Sequence, residues 1–297
     1  MSSDAPDSEA ERARLRTLLG AMQKIVEDAR APERIREDPR AWLADAGVLG
    51  PDLDAMAGVD PRRLLLYRKL VRRGIGDSIQ RQIPRVAARL GPAWDITLDR
   101  FFNEELSRSH YLRDAAFELV AFAAPLWSAD PSLPSFITDL ARHELLAFEV
   151  SCEHRAAEPK GAPLDLDRPV RFDPAARLRR YEHAVHRLEA DPGARDLPPR
   201  EPTALLAYRD ADHDVRYLEL TPLAAGVVER LLPGGLEASR GVSAQSPEAS
   251  PGHTLREAVT SACAELNIPV DDSVLASIAA VLSDLADRGV LLGGEPA

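Results

Sequence analysis

Between residues 15 and 152 the apolar residues recur at helical intervals, and none of the segments shows the period of two that a strand needs. That pattern commits the first half of the chain to helices, each burying one face. Leu15, Leu18, Leu19, Met22, Ile25 and Val26 line one side of a first helix. A second helix is expected over 32–46, with Gly47 as its stop. Gly58-Val59-Asp60-Pro61 reads as a turn, with Asp60 as N-cap and Pro61 in the first helical position. Leu66, Leu70, Ile75 and Ile79 then keep helical spacing until Pro84 breaks that helix and starts the next. Gly74 and Gly76 fall inside this pattern and serve close helix packing or a kink. Further helices are expected over 94–106, 115–122 and 133–152.

Beyond this point the pattern changes. Residues 156–169 hold three prolines and one glycine and read as a linker. Residues 168–172 are strand-like, 177–188 fit either strand or helix, and 191–202 form another Pro-rich loop. Two β-rich runs, 204–208 and 215–220, flank Arg209-Asp210-Ala211-Asp212-His213-Asp214, which is a hairpin signal. Three helices follow. Thr221-Pro222 starts the first, Thr254 caps the second, and Asp271, Asp272 or Ser273 caps the third. Residues 237–253, rich in Ser, Gly, Pro and Glu, are expected to form a mobile insertion. Residues 290–292 look like a closing strand. The expected fold is mainly α with a small α+β part. It divides into an N-terminal helical extension (1–60), a helical bundle (61–155), a linker with a strand (156–202) and a winged-helix-like domain (203–297).

Charge and composition narrow the function. The chain has 297 residues and a net charge of −11, against the basic balance that phosphate neutralisation requires. No apolar run reaches the roughly 18 residues of a membrane span. The acidic, polar start lacks the basic and apolar parts of a signal peptide, so a cytosolic location is expected. Cys152 and Cys263 are far apart and form no CxxC pair, which argues against a disulfide framework and a cysteine zinc site. One stretch departs from the acidic average: nine basic residues and one acid, Asp77, lie between Arg62 and Arg89. It is either a solvated helix face or a docking surface for an acidic partner.

There is no P-loop, no GxSxG elbow, no HExxH and no GxGxxG opening a helix. His183 and His186 could share a helix face with Glu182 or Glu189, but a metal would need a further ligand. Asp139, His143 and Glu144 could form an acid–base group or a salt-bridged helix surface. Glu149, Glu153 and His154 surround Cys152, but two acids raise a thiol pKa rather than lower it, so Cys152 reads as structural and Cys263 as core. An independent enzyme using His143 and Glu144 is the weakest functional reading.

Two regions carry a family resemblance. The first is Tyr67-Arg68-Lys69-Leu70-Val71-Arg72-Arg73, Ile83-Pro84-Arg85-Val86, Leu90-Gly91, Phe101-Phe102 and Leu140-Ala141-Arg142-His143-Glu144. In order and spacing it resembles the helical domain of the partner subunits of multinuclear non-heme iron-dependent oxidases, a domain commonly labelled DNA-binding. The second, residues 203–292 with the ending Leu282 to Leu291, resembles the winged-helix peptide-recognition domains of ribosomal peptide biosynthesis. The first sixty residues and the 237–253 insertion depart from the family pattern.

The resemblance implies a TIM-barrel-like oxidase partner that holds the irons and oxidises a residue, often cysteine, of a precursor peptide. This chain would be a non-catalytic subunit with no metal or cofactor of its own, forming a heterodimer with the oxidase. Arg68, Arg72, Arg73, Arg81 and Arg85 would dock the oxidase. Val215, Tyr217, Leu218, Val274, Ile278 and Val281 would hold the leader peptide, with Val215–Leu220 as a free sheet edge facing the last helix. Neither nucleic acid nor membrane is an expected partner. The alternative is a DNA-binding regulator built on the winged helix. The acidic balance of residues 197–297 counts against it, and the 62–89 patch is its only evident contact surface.

Overall fold

The computed structural model describes residues 5–105, 111–153, 161–232 and 253–295. Nearly all of the expected mobile insertion, together with Leu106, His154 and residues 156–160, lies outside them. The fold is mainly helical with a small number of strands, as the periodicity implies. The chain divides into two compact units, residues 1–133 and 134–297.

Unit 1 contains α1 (Ala5–Glu27), α2 (Ala31–Glu37), α3 (Pro39–Asp45), α4 (Gly50–Ala57), α5 (Pro61–Gln82), α6 (Pro84–Leu90), α7 (Pro92–Glu104) and α8 (Ala115–Ala129). Proline sets most of these starts, because its fixed φ suits the first turn and its missing N–H is no loss there. Asp60 caps α5 by accepting from the Arg62 amide. The single helix expected over 32–46 is two. Asp38 is extended at φ −149° before Pro39, and its side chain caps α3 at the Ala41 amide. Ile25, Ile35, Trp42, Leu43 and Leu64 make one core of this unit.

The buried side of α5 differs from the expected stripe. Leu66 and Leu70 are 51% and 59% exposed. The inward residues are Leu64, Arg68, Gly76 and Ile79. Arg68 can sit inside because the end of α1 offers it carbonyl acceptors, as described below. Gly76 faces α7: a Cβ there would lie 3.3 Å from Cδ1 of Leu98, which fits the expectation of close helix packing.

Unit 2 contains α9 (Ile137–Cys152), β1 (Val170–Phe172), β2 (Arg177–Tyr181), β3 (Thr203–Arg209), β4 (Val215–Leu220), α10 (Pro222–Leu231), α11 (Leu255–Glu265), α12 (Asp272–Asp287) and β5 (Leu291–Gly294). Thr221, Thr254 and Asp271 cap the last three helices through their side chains, and Thr254 with Glu257 completes a capping box. Helix α9, expected within the bundle, belongs to this unit and contacts β2, β3 and β4.

The antiparallel sheet runs in the order β2-β3-β4. Its register aligns Leu178, Leu206 and Leu218 in one row, and Arg177, Ala207 and Tyr217 in the next. Side chains alternate between faces, so adjacent rows point oppositely. One face carries Leu178, Ala204, Leu206 and Leu220 into the core shared with α10, α11 and α12. The other carries Ala207 and Val215 against Leu146 and Val150 of α9. Covered on both faces, β3 reads as a continuous apolar run.

The two-stranded pair β1–β5 is closed by residues 161–162, whose amides donate to Leu292 and Gly294 carbonyls. Gly293 has φ +126°, and a Cβ would lie 2.7 Å from the Ala162 carbonyl oxygen. Gly293→Ala is therefore expected to cost about 3 kcal/mol, strain and clash together. Calorimetry checks it; a loss under about 1 kcal/mol would show that the strap is not held closely.

Candidate functional site

In the β2-β3-β4 sheet of unit 2, β4 is an outer strand that pairs with β3 on one side and with no other strand among the described residues. Five of its six residues are exposed or half-buried. The side chains expected to hold a peptide do not form one surface. Leu218, Val274 and Val281 are half-buried on the core side, and Ile278 is buried there. Val215 and Tyr217 point to the opposite face, since neighbours along a strand alternate. Val215 packs under α9. Tyr217 is 39% exposed and lies on His143, ring centroids 5.0 Å apart. The edge is thus flanked by an aliphatic wall on one side and by α9 with an aromatic pair on the other.

Helix α9 is fixed to the sheet by charge and hydrogen bonding. Glu149 accepts from Arg177 and Arg179 of β2, both at 2.8 Å. Glu153 pairs with Arg177, and its carbonyl accepts from Arg209 of β3. Near the start of α9, Asp139 Oδ2 accepts from the Glu182 and His183 amides and lies 3.0 Å from His183 Nδ1. His183 Nε2 meets Ser135 Oγ at 3.2 Å. This Ser–His–Asp line has the connectivity of a nucleophile relay. The Ile137 amide beside Ser135, however, is already taken by the Pro134 carbonyl, so the arrangement is described most economically as a tie between α9 and the turn after β2. Burial raises the Tyr181 phenol well above its usual range, so it stays neutral.

The other expected groupings separate. Asp139 turns to His183, while His143 is buried with its ring edge-on to Tyr181 and near Tyr217. His183 and His186 share no helix. His183 closes the turn after β2, and His186 reaches Glu219 of β4 at 3.2 Å. Among the described residues no three His, Cys, Asp or Glu side chains are grouped to hold a metal. Cys152, read as structural, is exposed, whereas Cys263 is buried as expected.

The five arginines expected at a docking surface also divide. Arg68 Nη1 lies 2.7, 2.7 and 2.9 Å from the Ile25, Val26 and Asp28 carbonyl oxygens. Arg72 donates to the Val26 and Phe102 carbonyls and to Asn103. These two point inward and join α5 to the ends of α1 and α7. Burial, and then the nearby Arg68 charge, brings Arg72 down to about 10. Arg73 and Arg81 are exposed and Arg85 is half-buried.

Sequence reasoning missed Ser135, Arg177, Arg179 and Tyr181. The signal was the alternation in Arg177-Leu178-Arg179-Arg180-Tyr181: its odd positions are polar because they meet Glu149, Glu153 and His143 rather than an apolar layer.

Among the described residues no helix is long and apolar enough to cross a membrane. No curated protein matches the chain. Residues 173–286, from the end of β1 to the end of α12, match the family model of the HvfC C-terminal domain, which fits the resemblance to oxidase partner subunits and an accessory role for this chain.

Proposed function

We propose that this chain is the non-catalytic partner subunit of a multinuclear non-heme iron oxidase, and that it presents a ribosomally made precursor peptide to that enzyme. The observation that carries this reading is the coincidence of the HvfC C-terminal domain match with an open strand edge: β4 lies inside the matched residues. A leader segment adds to β4 as a fourth strand. Main-chain hydrogen bonds supply the affinity, and the half-buried Leu218, Val274 and Val281 receive apolar side chains on one flank, backed by the buried Ile278. Val215 and Tyr217 bound the other. Unit 1, with Arg73 and Arg81 on its exposed surface, docks the oxidase. The chain then raises the peptide's effective concentration at the oxidase toward the millimolar range of a short tether. In this reading a subunit without a catalytic set is still required for turnover, and the irons belong to the oxidase.

The test is co-expression with the oxidase encoded beside this chain, followed by size-exclusion chromatography and metal analysis. A stable one-to-one, iron-bearing complex is expected; separate elution of the two proteins rejects the reading. Adding the neighbouring precursor peptide is then expected to slow amide hydrogen exchange at 215–220 about tenfold or more. Unchanged exchange at those amides would remove the β4 edge as the peptide site.

A further inference from the structure

A groove of about 840 Å³ runs along unit 1 between α5 and α7, with Arg36 of α2 at its margin. Its apolar lining is Leu65, Leu66, Trp94, Leu98 and Phe102. Cations border it on the α5 side: Arg62, Lys69 and Arg73 are all exposed. Carboxylates border it on the α7 side, where Asp95 and Asp99 are exposed.

These cations differ from those that hold the sheet of unit 2 together. In unit 2 Arg177, Arg179, Arg180 and Arg187 each meet a carboxylate. At the groove, Arg36, Arg62 and Lys69 make no ion pair among the described residues, and Arg73 has only a 3.7 Å contact with Asp77 on its own helix. A merely solvated helix face would place polar residues between such cations. Here Leu66 stands between Arg62 and Lys69 at 51% exposure. Unpaired positive charge beside exposed leucine, on a chain of net charge −11, marks a surface that a partner completes.

We propose that this groove docks an amphipathic α-helix of a partner protein. Its apolar face enters the groove, and its carboxylates run along the edge that meets Arg62, Lys69 and Arg73. The occupant is a helix because both walls are helices. They offer side chains but no free strand edge, so the guest must satisfy its own backbone. The α5 wall runs from Arg62 to Gln80, about 27 Å at 1.5 Å per residue, which a guest helix of about 18 residues spans. Nucleic acid fits poorly, because Asp77, Asp95 and Asp99 line the same groove and repel phosphate. The inference rests on the proposed function only for the identity of the partner, the oxidase.

Two stapled peptides of about 18 residues test it, each with leucines at helical spacing and one flank of either glutamate or lysine. Binding to the full-length chain is read by fluorescence anisotropy. The glutamate peptide is expected to bind about tenfold or more tightly than the lysine peptide, with the gap narrowing as salt is raised. The triple variant Arg62→Glu, Lys69→Glu, Arg73→Glu is expected to invert that preference. Its melting curve should be unchanged, because none of the three side chains has an interior partner. Equal affinities for the two peptides, or a preference untouched in the triple variant, overturn the proposal. So does a concentration-dependent dimer of the wild-type chain that the triple variant abolishes, which would make the occupant a second copy. The oxidase arm separates the two readings. A glutamate preference with no oxidase complex keeps the groove and removes the oxidase. An oxidase complex indifferent to the triple variant, together with no peptide preference, removes the groove and keeps the oxidase.

Discussion

Replacing Arg68 by methionine is expected to destabilise unit 1 by about 3–5 kcal/mol, a midpoint fall of about 10 °C or more in thermal unfolding. The side chain is amphipathic, and methionine keeps much of its stem packing. What is lost is the guanidinium, whose Nη1 lies within 2.9 Å of three carbonyl oxygens where α1 ends. Two of those bonds are buried. Orphan carbonyls at a helix end need a partner, and a buried one left unmet costs about 1–3 kcal/mol. Arg68→Lys is expected to recover only part of the loss, because a single ammonium cannot reproduce the planar fork that also reaches Asn103. Leu66→Ser, half a turn away on the exposed side, is the control and should stay within about 0.5 kcal/mol. A fall of only a few degrees for Arg68→Met would show that water replaces the guanidinium, and that Arg68 is available to a partner after all.

The second large effect is expected at Asp139. Asp139→Ala should cost unit 2 about 2–4 kcal/mol, because one carboxylate oxygen serves two backbone amides and an imidazole nitrogen within 3.1 Å. The Asp139 and His183 side chains are 12% and 7% exposed, so water reaches the orphaned donors poorly. Asp139→Asn keeps an acceptor for the amides and should recover more than half of the loss. Hydrogen exchange localises the effect: protection at the turn after β2, residues 182–183, is expected to fall first. Ser135→Ala removes only the outer, exposed link and should leave stability within about 0.5 kcal/mol. If Asp139→Ala melts with the wild type, the tie is not what holds α9 to the sheet.

Much of this architecture can be read from the chain because caps and prolines are local. Asp60-Pro61, Pro84, Thr221-Pro222 and Thr254 mark helix starts without reference to anything distant. The hairpin around Asp210 is local too, since Asp210 accepts from the Asp212 and Asp214 amides and pairs with Arg216. The failures come where a side chain's partner is far away in sequence. Arg68 looks like surface charge until the end of α1 arrives beneath it, more than forty residues back in the chain. Helix α9 carries ordinary bundle periodicity, and nothing within it announces that its partners are Arg177 and Arg179. The β-rich run 215–220 does form an outer strand of the sheet, but the expectation that this strand faces α12 ignores the alternation that sends Val215 and Tyr217 to the other side.

The two unlike flanks of β4 have a bearing on what the edge can discriminate. Any extended segment laid along it sends successive side chains to opposite sides. One set meets the aliphatic surface of Leu218 and Val274, and the other meets Tyr217 and His143. Sliding the segment by one position exchanges the two sets, and sliding it by two restores them. A bound strand is therefore sorted by parity before it is sorted by identity. Sequences that share a composition but differ by a single inserted residue present this edge with opposite chemistry, and only one of them can be held with its downstream residues in a fixed frame.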